Sequence, residues 1–178
     1  MKQYLFLLVL ALGAVSCVST RIESNKVSGF DKKAARIYLK INTSKESKEL
    51  MMSLGSELKL MLGKRGIQVK SGKVAELDLG EDAVKVQEEM ALFQPDLILS
   101  IGMNARNSNW IYTPNSGGMY SQSTRLSTTL GTFPLDQPVW KGVIRTSSTM
   151  PGLGAHNIAK KLVGRLERDG LLAKPVAK

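Results

Sequence analysis

Seven consecutive residues restrict this chain most: Leu97-Ile98-Leu99-Ser100-Ile101-Gly102-Met103. The run is nearly continuous in apolar character rather than alternating, which fits a central strand buried on both faces. Pro95-Asp96 leads into it and a polar, glycine-containing stretch follows.

The segments before this run set its neighbours. Ala34 to Asn42 alternates, with Ile37, Leu39 and Ile41 on one face and Arg36, Tyr38, Lys40 and Asn42 on the other, the pattern of a half-buried strand. Thr43 and Ser44 offer hydroxyls to cap a helix. In that helix Leu50, Leu54, Leu58, Met61 and Leu62 recur at spacings of three and four, and Met51 and Met52 widen the stripe. Ile67 to Lys70 is a short strand. Ala83 to Phe93 is a second helix, capped by Asp82 and closed by Pro95. Strand, helix, strand, helix, strand implies crossover connections and parallel pairing.

After the central run the pattern changes. Asn104 to Ser121 is rich in Asn, Ser and Gly and carries Trp110, Tyr112 and Tyr120. It reads as a long excursion with Pro114 and Gly117-Gly118 at its tip. Ser123 to Phe133 and Val139 to Ser148 are strands separated by the Pro134–Pro138 turn, which favours an antiparallel meander. Ala155 to Leu166 is a helix with Ile158, Ala159, Leu162, Val163 and Leu166 inward. Gly170 ends it, and Leu171 and Leu172 can fold back on the core. The expected fold is α/β (α+β): a mixed sheet of about five to six strands with three helices packed on it.

The amino terminus gives a compartment. Lys2 precedes the apolar run Tyr4–Val15, and Ser16 and Cys17 follow. A basic start, an apolar run of this length and a small residue before the cut describe a secretory signal peptide. The run is too short to span a bilayer, and no later run approaches that length, so no transmembrane helix is expected. Ala14-Val15-Ser16-Cys17 resembles the lipobox of bacterial lipoproteins, although Ala14 stands where that pattern prefers Leu. The resemblance implies that the Cys17 thiol carries diacylglycerol and that its new amino terminus is acylated. Stable anchoring takes more than one chain, a condition that a triacylated cysteine meets. Cys17 is the only cysteine, so no internal disulfide competes for it. Val18, rather than Asp, follows it, which by resemblance to lipoprotein sorting in Gram-negative bacteria implies the outer membrane. The expected divisions are a signal peptide over 1–16, a lipidated terminus and tether over 17–33, one domain over 34–172 and a disordered tail over 173–178.

Removing the signal leaves 162 residues, enough for one domain with a real core. The formal net charge of the whole chain is +10. In an exported protein such charge reads first as a soluble basic surface, and otherwise as one that faces anionic head groups or cell-wall polymer rather than nucleic acid.

From Ala34 to Leu172 the arrangement resembles the small α/β domain of several bacterial envelope lipoproteins. Among them are the activators of penicillin-binding proteins, the curli-secretion lipoprotein and the TolB N-terminal domain. The early strand with its long helix, the PDLILSI strand, the PVWKG strand and the RDGLL ending carry the likeness. It implies a role in assembling partners at the envelope and names no catalytic residue.

Catalytic signatures are sparse. His156 is the only histidine and reads as a polar surface or capping residue; no G-x-S-x-G elbow occurs. No cofactor or metal is expected, since zinc sites draw on several His and Cys. Glu88 and Glu89 read as a solvated helix face. Gly152-Leu153-Gly154 lacks the Lys and Ser/Thr of a phosphate-binding loop. The stronger candidate for a ligand site is the aromatic excursion: Trp110, Tyr112 and Tyr120, with Arg106 and Asn109. Flat amphipathic rings among amides suit sugar or peptide recognition; the alternative is a long hairpin whose rings pack back on their own sheet. The expected function is that of a non-enzymatic lipoprotein binding an envelope protein or peptidoglycan, or alternatively of an accessory subunit of a transport or secretion machine.

Overall fold

The strand over residues 36–43 has a parallel partner on either side, and the computed structural model describes residues 18–113, 117–135, 137–149 and 154–172. The elements run β1 (Ser19–Lys26), β2 (Arg36–Thr43), α1 (Lys48–Gly63), β3 (Gln68–Ala75), α2 (Glu81–Phe93), β4 (Leu97–Thr113), β5 (Gly117–Thr132), β6 (Gln137–Ser148) and α3 (Ala155–Arg168). They form one six-stranded mixed sheet in the order β1-β6-β5-β4-β2-β3. β2 pairs in parallel with β3 and β4, while β4, β5, β6 and β1 pair antiparallel. The mixed sheet and three helices are those anticipated from periodicity.

Two helices cover one face. Met51, Leu54, Leu58 and Leu62 of α1 and Ile158, Leu162, Val163 and Leu166 of α3 close over Ile37, Leu39, Ile41, Leu97, Leu99, Ile101, Leu126, Leu130, Trp140 and Ile144. Leu171 and Leu172 join this core. Each fully buried leucine contributes roughly 1.5–3 kcal/mol through removal from water. Gly55 allows α1 its close approach, because a Cβ there would collide with Ile41 Cδ1.

The opposite face is covered only where α2 lies. Tyr38, Ile98, Val86 and Met90 form a second, smaller core there. Tyr38 is therefore fully buried rather than on a polar face, because β2 is central and has a helix on either side. Its hydroxyl donates to Glu89 Oε2 at 2.7 Å, so Glu89 is anchored and only Glu88 stays on the solvated face. Among the described residues, the remaining outer face, over β5, β6 and β1, carries no helix.

Local capping differs from expectation. Asp82 does not cap α2. Asp78 does, its carboxylate accepting the amides of Gly80, Asp82 and Ala83 at 3.0–3.2 Å. Gln94 (φ 49°) ends that helix in the left-handed region before Pro95. Asp96 then accepts the amides of Ala35 and Arg36 at 2.9 and 2.8 Å, tying the start of β4 to the start of β2.

The largest departure is at the amino end. Residues expected as a tether form β1, which pairs with β6 along its whole length, from Ser19↔Ser147 to Lys26↔Trp140. Its alternation is masked in the sequence by polar side chains at most positions, and pairing at the sheet edge supplies the order instead. Residues 1–17 and 173–178, with the expected signal, lipid site and tail, lie outside the described residues. Among the described residues, no helix is long and apolar enough to cross a membrane.

Candidate functional site

The excursion after the central run is a strand pair, not a loop. β4 continues without interruption to Thr113 and β5 returns from Gly117, with partners Asn107↔Ser123, Trp110↔Tyr120 and Thr113↔Gly117. A shift in register between Met103 and Ala105 lies just past Ile101, where the pairing of β4 with β2 ends. β6 stops opposite Gln122 and β1 starts opposite Ser147, so beyond Ser108 the two strands stand, among the described residues, as an isolated hairpin. Pro114, expected at the tip, falls outside the described residues.

The expected site residues divide between two environments. At the hairpin base, Arg106 Nη1 donates to the Glu46 carbonyl at 3.0 Å. The Gln122 amide is best oriented so that its oxygen accepts from Arg106 Nε and Nη2 at 2.7 and 2.9 Å and its nitrogen donates to Tyr120 Oη at 3.0 Å. Tyr120 in turn packs edge-on against Trp110, with ring centroids 5.3 Å apart. Arg106, Tyr120 and Trp110 are thus one chain of contacts. Beyond them Trp110 and Tyr112 are 74% and 78% exposed. Asn109 is exposed and lies on the other face of the hairpin by strand alternation. The rings therefore do not converge with Asn109 on a shared pocket.

The bare outer face carries a second feature that sequence reading missed. Register places Arg21, Arg145 and Arg125 side by side on β1, β6 and β5, all exposed. Glu23 Oε1 accepts from Arg145 Nη1 at 2.8 Å and lies 3.4 Å from Arg21 Nε. A hydrogen bond from Arg145, then its charge, with Arg21 and Arg125 behind, holds the Glu23 carboxyl below its usual range despite some desolvation. One carboxylate serves three guanidinium groups, so the row stays cationic. A shallow depression of about 370 Å³ lies over it, lined by Ser19, Asn107, Ser123 and Ser147 as well as these arginines. The only signal in sequence is the Arg at each position, and pairing partners more than a hundred residues apart cannot be read there.

A third cavity, of about 620 Å³, opens at the carboxyl ends of the parallel strands, among Asn42, Ser44, Lys45, Glu76, Asn104 and Ser127. This is the switch point, where chain direction diverges on either side of β2 and where ligands bind in open α/β sheets. Its polar lining is already engaged in part: Ser127 donates to Asn104 at 2.8 Å, and Ser44 and Ser47 bond to each other.

His156 lies away from all three, with Nδ1 2.9 Å from Glu57 Oε2 on the exposed side of α1 and α3. Among the described residues no group of three or more His, Cys, Asp or Glu could hold a metal ion. Residues 151–153 of the glycine-containing loop before α3 lie outside the described residues.

The sequence matches no described protein family and no curated protein. Solved structures similar to the chain include the PelC dodecamer from Paraburkholderia phytofirmans. In one crystal form the TM-score is 0.54 at 14% identity, covering 88% of this chain and all of that one. They also include lipoprotein GNA1162 from Neisseria meningitidis, with a TM-score of 0.45 at 12% identity over 76% of this chain and 96% of that one. A minor lipoprotein from Acinetobacter baumannii follows, with a TM-score of 0.42 at 8% identity over 78% and 96%. The likeness to PelC is one of fold.

Proposed function

We propose that this protein is a non-enzymatic envelope lipoprotein, held to the periplasmic side of the outer membrane through Cys17 and presenting its α/β domain to a protein partner or cell-wall component. The observation that carries this reading is the position of β1. The folded domain begins at Ser19, two residues after the lipobox-like cysteine, and β1 is paired from its first residue. A chain that starts its fold there is suited to rigid attachment at that cysteine.

The test is Cys17→Ala in cells, with membrane fractionation and metabolic palmitate labelling. The reading expects label and outer-membrane association in the wild type and loss of both in the variant. Membrane association that survives the substitution would sink the anchor.

A second reading, a structural subunit of an envelope transport or secretion machine, draws on the fold shared with PelC, which was solved as a dodecamer. Native mass spectrometry of the detergent-purified lipoprotein separates the two. One discrete high-order oligomer favours the subunit, and a monomer favours the adaptor.

A further inference from the structure

The hairpin and the anchor leave the sheet at the same end. Ser19 pairs with Ser147, Ser147 with Ser123, and Ser123 with Asn107, so these four residues form one row across β1, β6, β5 and β4. The two residues from Ser19 back to Cys17 span at most about 7 Å. From the same row β4 runs six residues further, to Thr113, a rise of ~20 Å. Trp110 is already ~10 Å past the row. Whatever surface receives Cys17 is therefore within reach of the hairpin, and when the strands stand upright on it β4 at Thr113 reaches past the anchor.

The hairpin has the composition for such a surface. Asn107 to Thr124 contains no Asp, Glu, Lys or Arg, in a chain that is 22% charged. It exposes Trp110 and Tyr112, which favour the boundary between head groups and acyl chains. A two-stranded ribbon with exposed rings is marginal in water and gains from a partly apolar medium. Two residues back from the row, on the side away from Trp110, the arginines at 21, 145 and 125 stand level with one another, and their long side chains suit the phosphates of anionic head groups.

We propose that the Trp110–Tyr112 hairpin enters the head-group layer of the bilayer that holds Cys17, while Arg21, Arg125 and Arg145 take the phosphates of anionic lipid. The inference rests on the lipoprotein reading and adds to it a second, protein-borne membrane contact.

Trp110 and Trp140 are the only tryptophans, and Trp140 is 1% exposed. Subtracting the emission of a Trp110→Phe variant from the wild type therefore isolates Trp110. The lipidated chain is reconstituted in phosphatidylethanolamine–phosphatidylglycerol vesicles carrying brominated acyl chains. Trp110 emission should shift to the blue and fall at least twofold, with Trp140 unchanged. Arg21→Gln, Arg125→Gln and Arg145→Gln combined should halve the quenching in these vesicles and leave it unaltered in phosphatidylcholine. If that variant does not fold, raising salt on the wild type tests the same contact, because exposed charges are screened beyond about 3 Å at 1 M. Vesicle flotation with Trp110 unquenched and open to iodide overturns the inference and leaves the anchor standing. Failure to float overturns both. A blue shift produced by peptidoglycan fragments without lipid overturns it in favour of a cell-wall site. Quenching that ignores both the glutamines and salt removes the arginines from the contact.

Discussion

Trp140 Nε1 donates to Asp169 Oδ2 at 2.7 Å, joining the middle of β6 to the residue that follows α3. The same oxygen accepts from Ser24 Oγ at 2.9 Å and from Arg165 Nε at 3.1 Å. Arg165 also donates to Ser24 at 2.7 Å, and Lys26 Nζ donates to the Asp169 carbonyl at 2.8 Å. One carboxylate thus collects the edge strand β1, the strand β6 and the closing helix. Asp169→Ala leaves the buried Trp140 N–H without its acceptor and takes from Arg165, which keeps Ser24, its charge partner. The expected loss is about 2–3 kcal/mol in urea unfolding, through the penalty for an unpaired buried donor and a lost charge-assisted bond. A loss under 0.5 kcal/mol would show that water replaces the carboxylate freely.

Acid should act through Asp169 and Asp96. Burial pushes the Asp169 carboxyl up, but the bonds from Trp140, Ser24 and Arg165, with the Arg165 charge, outweigh it and hold it below the usual range. Asp96 follows the same balance, with the amides of Arg36 and Ala35 and the charges of Lys32 and Arg36 opposing burial. A carboxyl lowered by folding stabilises fully above its unfolded value, near 3.9, and loses that contribution as pH falls through the lower folded value. Unfolding free energy should therefore drop from pH 5 downward. The Asp96→Asn/Asp169→Asn double variant should start lower and show a shallower slope. Equal slopes would remove these two residues from the acid response.

Gly72 is confined by a buried tyrosine. A Cβ at this position would collide with Tyr38 Oη and come within 2.7 Å of Val86 Cγ2. Gly72→Ala should cost about 1–3 kcal/mol, the usual range for overpacking. Tyr38→Phe alone should cost about 1 kcal/mol by removing the bond to Glu89. Together the two should cost less than their sum, since Phe removes the obstructing oxygen. Additive losses in a double-mutant cycle would refute the contact.

The α2 amino terminus depends on Asp78. Its carboxyl is held below the usual range, chiefly by the Asp82 amide and, against a little desolvation, by those of Ala83, Gly80 and Glu81. Asp78→Ala should speed hydrogen exchange at residues 80–84 severalfold and leave α1 and α3 unchanged. Protection that persists at these amides would assign the cap elsewhere.

Much of this architecture is legible locally. The alternation of Ile37, Leu39 and Ile41, the three-and-four spacing of Leu54, Leu58 and Leu62, and the continuous Leu97–Ile101 run each declare an element within a few residues, because burial on one face repeats with the period of the backbone. The closing pair Leu171–Leu172 is buried as its apolarity suggests. The candidate residues Trp110, Tyr112 and Tyr120 were visible as aromatics in a polar stretch. Their arrangement was not, since an extended hairpin and a loop share the same composition of Asn, Ser and Gly.

Sequence by itself determined the three helices and the buried parts of β2 to β6, which face of α1 and α3 is apolar, and where the lipobox-like cysteine stands. Those properties depend on neighbours along the chain. Only the tertiary structure decided that residues 19–26 complete the sheet, that Tyr38 lies beneath α2 with Glu89 as its acceptor, and that Arg21, Arg145 and Arg125 share a row with the hairpin rising beside them. Each of these depends on the register between strands far apart in sequence. Register is set by how the whole core packs, and a one-residue slip would turn every side chain to the opposite face.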